Sequence, residues 1–145
     1  MPNIRLTPGA ISSVVTQENI SSTVCVRGYT KTVRPPAHYT NKLKKLQIEQ
    51  YGYADRDPKH YEEDHLIALS IGGEPIDPRN LWPQPRSTTW SAAKKDNLEF
   101  VLYKMVCNGD ISIAKAQQQM ATDWIAAYKQ YVTANVKYRY KGGGD

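Results

Sequence analysis

Histidine and cysteine, the residues that most often hold zinc, are nearly missing from this chain. There are three histidines, His38, His60 and His65, and two cysteines, Cys25 and Cys107. With no CxxC pair, two isolated cysteines do not supply the four ligands of a structural zinc site. No apolar run approaches the ~20 residues that a membrane span needs. The opening stretch, MPNIRLTPGA, lacks both the basic region and the apolar core of a signal peptide. Either the protein is not exported, or an export signal has been removed and Met1 stands in its place. No internal repeat or low-complexity tract is found. The tail Lys141-Gly142-Gly143-Gly144-Asp145 reads as flexible and is set aside from the fold.

Two readings stay open for the cysteines. One is a pair of buried, reduced thiols; the other is a disulfide tying the N-terminal segment to the end of a central helix. Both residues lie in polar, turn-like surroundings, Ser-Ser-Thr-Val-Cys and Val-Cys-Asn-Gly-Asp, which is unusual for core thiols. That setting favours the Cys25–Cys107 disulfide. A disulfide implies an oxidising compartment, and so a secreted or periplasmic protein, with a cytoplasmic one as the alternative if the thiols are reduced.

At 145 residues the chain is one domain's worth, with a hydrophobic fraction of 40% that suffices for a single core. The net charge of +5 and a pI near 9.2 fit a polyanionic partner, because neutralising phosphates releases counterions. Residues 1–36 read as an irregular, β-rich segment packed on the domain, with one helical turn near Thr16 to Ile20 and strand character from Val24 to Val33. Residues 37–140 read as the domain proper and 141–145 as the tail. Thr40 is the expected N-cap of a helix reaching Tyr51, with Leu43, Leu46 and Ile48 on its apolar side and Lys42, Lys44 and Lys45 opposite. His65 to Leu69 suits a buried strand, and Asn80 to Trp82 a second one, ended by Pro83 and Pro85. Together they make a hairpin. A helix follows from Ser91 to Val106, closed by Asn108-Gly109, and Ser112 caps a last helix to about Tyr131. The apolar stripe of that last helix, Ile113, Ala116, Met120, Trp124, Ala127 and Tyr131, reads as core. The class is α+β.

The informative segment is Glu62-Glu63-Asp64-His65-Leu66-Ile67-Ala68-Leu69-Ser70-Ile71-Gly72-Gly73, followed by Asn80-Leu81. A carboxylate suits a hard divalent cation, and a neutral imidazole with an ordinary pKa of about 6.5 takes a proton from water near pH 7. Phosphodiester hydrolysis needs both functions. An acid beside a histidine, an apolar strand, a Gly-Gly loop, Asn-Leu opening a second strand 15 positions after the histidine (80 − 65), and then a helix, resembles the HNH or ββα-metal nuclease motif. The segments Tyr-Glu-Glu-Asp-His-Leu-Ile, Asn-Leu-Trp-Pro-Gln-Pro and Lys95-Asp96-Asn97-Leu98-Glu99 are similar to small bacterial HNH-like proteins. So are Val106-Cys107, Ala116-Gln117 and Asp123-Trp124, so that the likeness covers roughly the last two-thirds of the chain.

The resemblance implies a ββα-metal core with flanking helices, and a metal-dependent endonuclease that cuts DNA, or also RNA, with little sequence specificity. Asp64 then corresponds to the metal-ligating carboxylate and His65 to the general base. Asn80 corresponds to the asparagine that fastens the hairpin loop and orients the histidine. The implied ion is Mg²⁺ or Mn²⁺, suited to an all-oxygen site. The family's third hallmark, a histidine or asparagine on the following helix, departs here: no histidine lies between Asn80 and Cys107, and Asp96 or Glu99 is left to serve. On a helical wheel with Leu98 at zero, Leu102, Met105 and Val101 fall at ~40°, ~−20° and ~−60° and mark the packed face. Glu99 falls at ~100°, Asp96 at ~160° and Lys95 at ~60°, which favours Glu99 as ligand or orienter and points Lys95 inward towards a phosphate or carboxylate. Lys31, Arg34, Arg79, Arg86, Lys94 and Lys95 are the candidate phosphate contacts. Trp82 and Trp90 are read as packing the hairpin, and His38 and His60 as exposed. The expected partner is nucleic acid, DNA foremost, bound by a monomer away from any membrane. A nuclease delivered to competitors would also need an immunity or inhibitor protein. The alternative is a non-catalytic nucleic-acid or protein-binding module on the same scaffold.

Overall fold

A computed structural model describes residues 1–133. The expectations for residues 134–145, including the tail, lie outside these. The described residues form an α+β fold in which four α-helices surround one antiparallel hairpin. The helices are α1 (Tyr29–Val33), α2 (Ala37–Gln50), α3 (Ala92–Cys107) and α4 (Ile113–Ala127), and the strands are β1 (Tyr61–His65) and β2 (Leu81–Pro85). No helix among them is long and apolar enough to cross a membrane.

The two strands are delivered by the same local device. Asp57-Pro58 and Asp77-Pro78 each begin one turn of 3-10 helix, and each aspartate side chain accepts a hydrogen bond from the backbone N–H two residues on. Proline presets φ for that turn and lacks the N–H that would go unpaired there. The chain leaves the turns extended, as β1 and β2, with Tyr61 opposite Pro85 and His65 opposite Leu81.

The hairpin is shifted from the sequence expectation. β1 ends at His65 instead of beginning there, and β2 runs through Pro83 and Pro85 instead of stopping at them. The ladder explains this. Leu66 N donates to Asn80 O, and Arg86 N donates to His60 O, at the two ends of the pairing. Alternation then makes 62/84 and 64/82 the bonded pairs. Pro83 and Pro85 occupy the other positions, where a strand N–H points away from the partner. Their missing donors cost nothing on the inner side and leave the outer edge poor in pairing groups.

Residues 66–80 carry Leu66, Ile67, Ala68, Leu69 and Ile71 into the core beside Trp82. α3 meets them with Leu98, Leu102 and Val106, and α4 with Ile113, Ala116, Met120, Trp124 and Ala127. Gly72-Gly73 is demanded by this packing: a Cβ at Gly73 would lie 1.7 Å from Ile67 O, and Gly72 has φ +85°. α4 carries a break at Asp123 (φ −162°, ψ 88°), whose carboxylate accepts from Ala126 N as the helix restarts. A π-helical turn, Tyr128–Val132, continues it.

The N-terminal segment is bound to the domain by an Ile11–Gly73 bridge, by Gly9 N donating to Arg79 O, and by a Cys25–Cys107 disulfide with Cα atoms 5.7 Å apart. Thr16 caps a 3-10 turn over Gln17–Ser22. The β-rich reading of Val24 to Val33 is corrected: these residues form turns and α1, because Gly28 takes the left-handed conformation (φ 87°) and starts a helix. α2 begins after Pro36, three residues ahead of Thr40. It buries Gln47 and Ile48 and leaves Leu46 exposed.

Candidate active site

β1 alternates, so Glu62 and Asp64 share one face and Glu63 and His65 the other. The end of the strand nevertheless brings both faces to one opening. A cleft of about 440 Å³ is lined by Glu62, Glu63, Asp64 and His65 from β1, by Arg34 and Pro35 between α1 and α2, and by Ala37 and Thr40 from the start of α2.

His65 is buried, and its Nε2 lies 2.9 Å from Pro75 O. A carbonyl oxygen only accepts, so Nε2 carries a proton, and in the neutral ring Nδ1 is then the nitrogen with the lone pair. The loop holding Pro75 is pinned by Asn80, which is fully buried. Its Oδ1 accepts from Ile67 N at 2.9 Å, and its Nδ2 donates to Ile67 O and Glu74 O at 3.0 Å each. Glu74 in turn caps Ile76 N and Asp77 N. Asn80 thus fixes both sides of the loop whose carbonyl orients the imidazole.

The carboxylates gather on the other side of the strand end. Ligand oxygens of Glu62, Asp64 and Asp96 lie within 4.8 Å of one another. Three carboxylates make a hard, all-oxygen donor set, so the residues present fit Mg²⁺ or Mn²⁺ better than zinc. Asp96, and not Glu99, is the α3 residue in this group. Glu99 is buried against Lys95, whose ammonium contacts Glu99 Oε2 at 3.0 Å, Asp64 Oδ2 at 2.7 Å and His65 O at 2.7 Å. The wheel set Lys95 inward, and it is fully buried. The same wheel set Asp96 largely away, whereas the carboxylate of Asp96 lies within 4.8 Å of those of Glu62 and Asp64.

Glu63 is a further acid, half-buried as a residue but with both carboxylate oxygens shut off from solvent. Neither of its carboxylate oxygens has a hydrogen-bond partner among the described residues, and burial, reinforced by the Asp64 charge and opposed by Lys44, pushes its pKa up to about 8. Glu62 and Glu63 were missed by sequence reasoning. The signal was present in the run Glu62-Glu63-Asp64-His65, since period two pairs Glu62 with Asp64 once the strand is known to end at His65.

The basic candidates divide. Arg34 lines the cleft, and Lys31 is exposed nearby on α1. Arg86 lies 3.8 Å from Glu62, and Arg79 is held by Asp77 at 2.6 Å. Lys94 sits over the Trp90 ring at 4.8 Å. Lys95 is corrected as a phosphate contact, because its ammonium is shut off from solvent. Trp82 packs in the core against Tyr51, whereas Trp90 packs edge-on against Trp124 and Tyr128 instead of on the hairpin. His38 is exposed. So is His60, where Asp55 binds the ring at Nδ1 and raises its pKa. No family model, curated protein or solved structure matches this chain.

Proposed function

We propose that the chain is a metal-dependent phosphodiesterase of the HNH type, an endonuclease with His65 as general base. The observation that carries the reading is the imidazole of His65. Nε2 is committed to Pro75 O, and the ring with its free Nδ1 lines a cleft that also holds carboxylates and a guanidinium. A bound Mg²⁺ or Mn²⁺ at Asp64, Asp96 and Glu62 would neutralise charge developing on the phosphate and the leaving oxygen. His65 Nδ1 takes the proton of the attacking water, Asn80 keeps the loop that orients the ring, and Arg34 binds a phosphate oxygen.

The test is incubation of purified protein with supercoiled plasmid in Mg²⁺, Mn²⁺ or EDTA. Nicking in either metal and none in EDTA is expected. His65→Ala is expected to melt and bind like the wild type and to turn over about 10²-fold more slowly or worse. Cleavage by His65→Ala at the wild-type rate would rule the mechanism out.

One observation favours a second reading, a non-catalytic nucleic-acid-binding module. The Lys95 ammonium already contacts Asp64 at 2.7 Å and compensates part of the charge that a metal would meet. Such a module binds nucleic acid equally with Mg²⁺ or EDTA and cuts in neither.

A further inference from the structure

A smaller cavity, about 170 Å³, lies between α1 and α3. Tyr29, Phe100 and Tyr103 supply aromatic walls and Asp96 a carboxylate, while Glu99, which also lines the cavity, gives its own carboxylate to Lys95. Asp96 belongs both to this lining and to the carboxylate cluster with Glu62 and Asp64, so the cavity abuts the candidate metal site. Next to it, the Lys104 ammonium stands 5.6 Å from the centroid of the Phe100 ring and 5.8 Å from that of Tyr103.

The size limits the occupant. Pockets that take a whole small molecule run to roughly 300–1,000 Å³, so this one suits a single ring belonging to a longer ligand. Aromatic walls accept the face of such a ring, and the Asp96 carboxylate accepts a hydrogen bond from its edge. Lys104 is placed for an anionic chain carrying the ring, and it would repel a cationic side chain approaching the same walls. Planar, donor-edged and attached to an anionic backbone describes a nucleobase on its strand.

Building on the nuclease reading, the geometry points to a nucleobase subsite: the cavity between α1 and α3 receives one unpaired, amino-bearing base beside the scissile phosphate. A base inside a duplex has its edge paired and both faces stacked, so entry requires a single strand or an extruded nucleotide. Adenine, cytosine and guanine carry an exocyclic amino group that a carboxylate can bind; thymine does not.

The experiment is fluorescence anisotropy with short labelled oligo(dC), oligo(dT) and a blunt duplex, in EDTA so that nothing is cut. Wild-type protein is expected to bind oligo(dC) several-fold more tightly than oligo(dT). Tyr103→Leu and Phe100→Leu, checked for a wild-type melt, are expected to lose roughly 10-fold for oligo(dC), the scale of one stacking partner, and to keep duplex affinity. Equal affinity of the wild type for the two oligonucleotides overturns the subsite, and that comparison needs no variant to fold. A loss in Tyr103→Leu confined to an oligolysine peptide also overturns it, in favour of a protein partner. Plasmid nicking without base preference removes the subsite alone. Base preference without nicking in any metal removes the nuclease reading alone.

Discussion

Lys95 and Glu63 show how differently two ionisable groups are managed beside one strand end. The three hydrogens of the Lys95 ammonium match its contacts to Asp64, Glu99 and His65 O, which ties α3 to the end of β1. Lys95→Met keeps the stem and removes the charge, leaving two buried carboxylates without it. A loss of about 3–5 kcal/mol is expected from urea unfolding in EDTA. The loss is expected to shrink in Mg²⁺, since a divalent ion can replace the missing charge at Asp64. A Lys95→Met protein as stable as wild type in EDTA would mean that the ammonium compensates nothing. Glu63 has no such partner among the described residues, and its folded pKa of about 8 stands above the ordinary value of 4.5. Between those values the folded state holds a proton that the unfolded chain has released, so stability falls as pH rises and levels off above the folded pKa. The stability of wild type relative to Glu63→Gln is therefore expected to fall from pH 4.5 to about 8, measured by thermal melts across that window. A relative stability that rises with pH would contradict this assignment.

At the scale of elements, the hairpin and α3 are joined by side chains, while the N-terminal segment is joined to α3 by a covalent bond. Cys25 lies just before α1 and Cys107 at the last turn of α3, 82 positions apart. Cross-linking a loop of that length removes chain entropy worth about 4 kcal/mol from the unfolded state. Serine at both positions is expected to lower unfolding free energy by about 2–5 kcal/mol in denaturant titrations. Mass spectrometry of non-reduced protein from an oxidising compartment checks the bond directly, and two alkylatable thiols would contradict it. The same bond anchors the segment carrying Val24 and Val26 onto the cavity between α1 and α3. Reduction is therefore expected to weaken oligo(dC) binding more than duplex binding.

For the molecule as a whole, the charge of +5 coexists with a cluster of carboxylates at the strand end. The two serve different purposes on the proposed reading: exposed cations attract a polyanion over a distance, and partly buried carboxylates wait where it is cut. Binding of duplex DNA in EDTA is expected to weaken with salt, with a logarithmic slope of about 0.9 per phosphate contacted. Arg34→Ala is expected to reduce that slope by about 1 and to weaken all sequences alike. Affinity that does not change between low and physiological salt would remove the electrostatic account.

What the sequence by itself determined was periodic or local. The apolar stripe of α4 is legible at Ile113, Ala116, Met120, Trp124 and Ala127, and Ser112 and Ser91 mark where α4 and α3 begin. Asp64, His65 and Asn80 stand out by type and spacing, and the inward angle of Lys95 follows from the helical repeat. The tertiary structure decided whatever depended on how one element meets another. The strand's true end at His65 pairs Glu62 with Asp64, a fact that hangs on ladder register. Pro83 and Pro85 remain in β2 because their missing donors face outward, which no propensity reveals. Asp96 rather than Glu99 joins the carboxylates, while Lys95 takes Glu99 for itself. A side chain's neighbours along the chain are set by covalent geometry, but its neighbours across space are set by packing. The site is made almost entirely of the second kind.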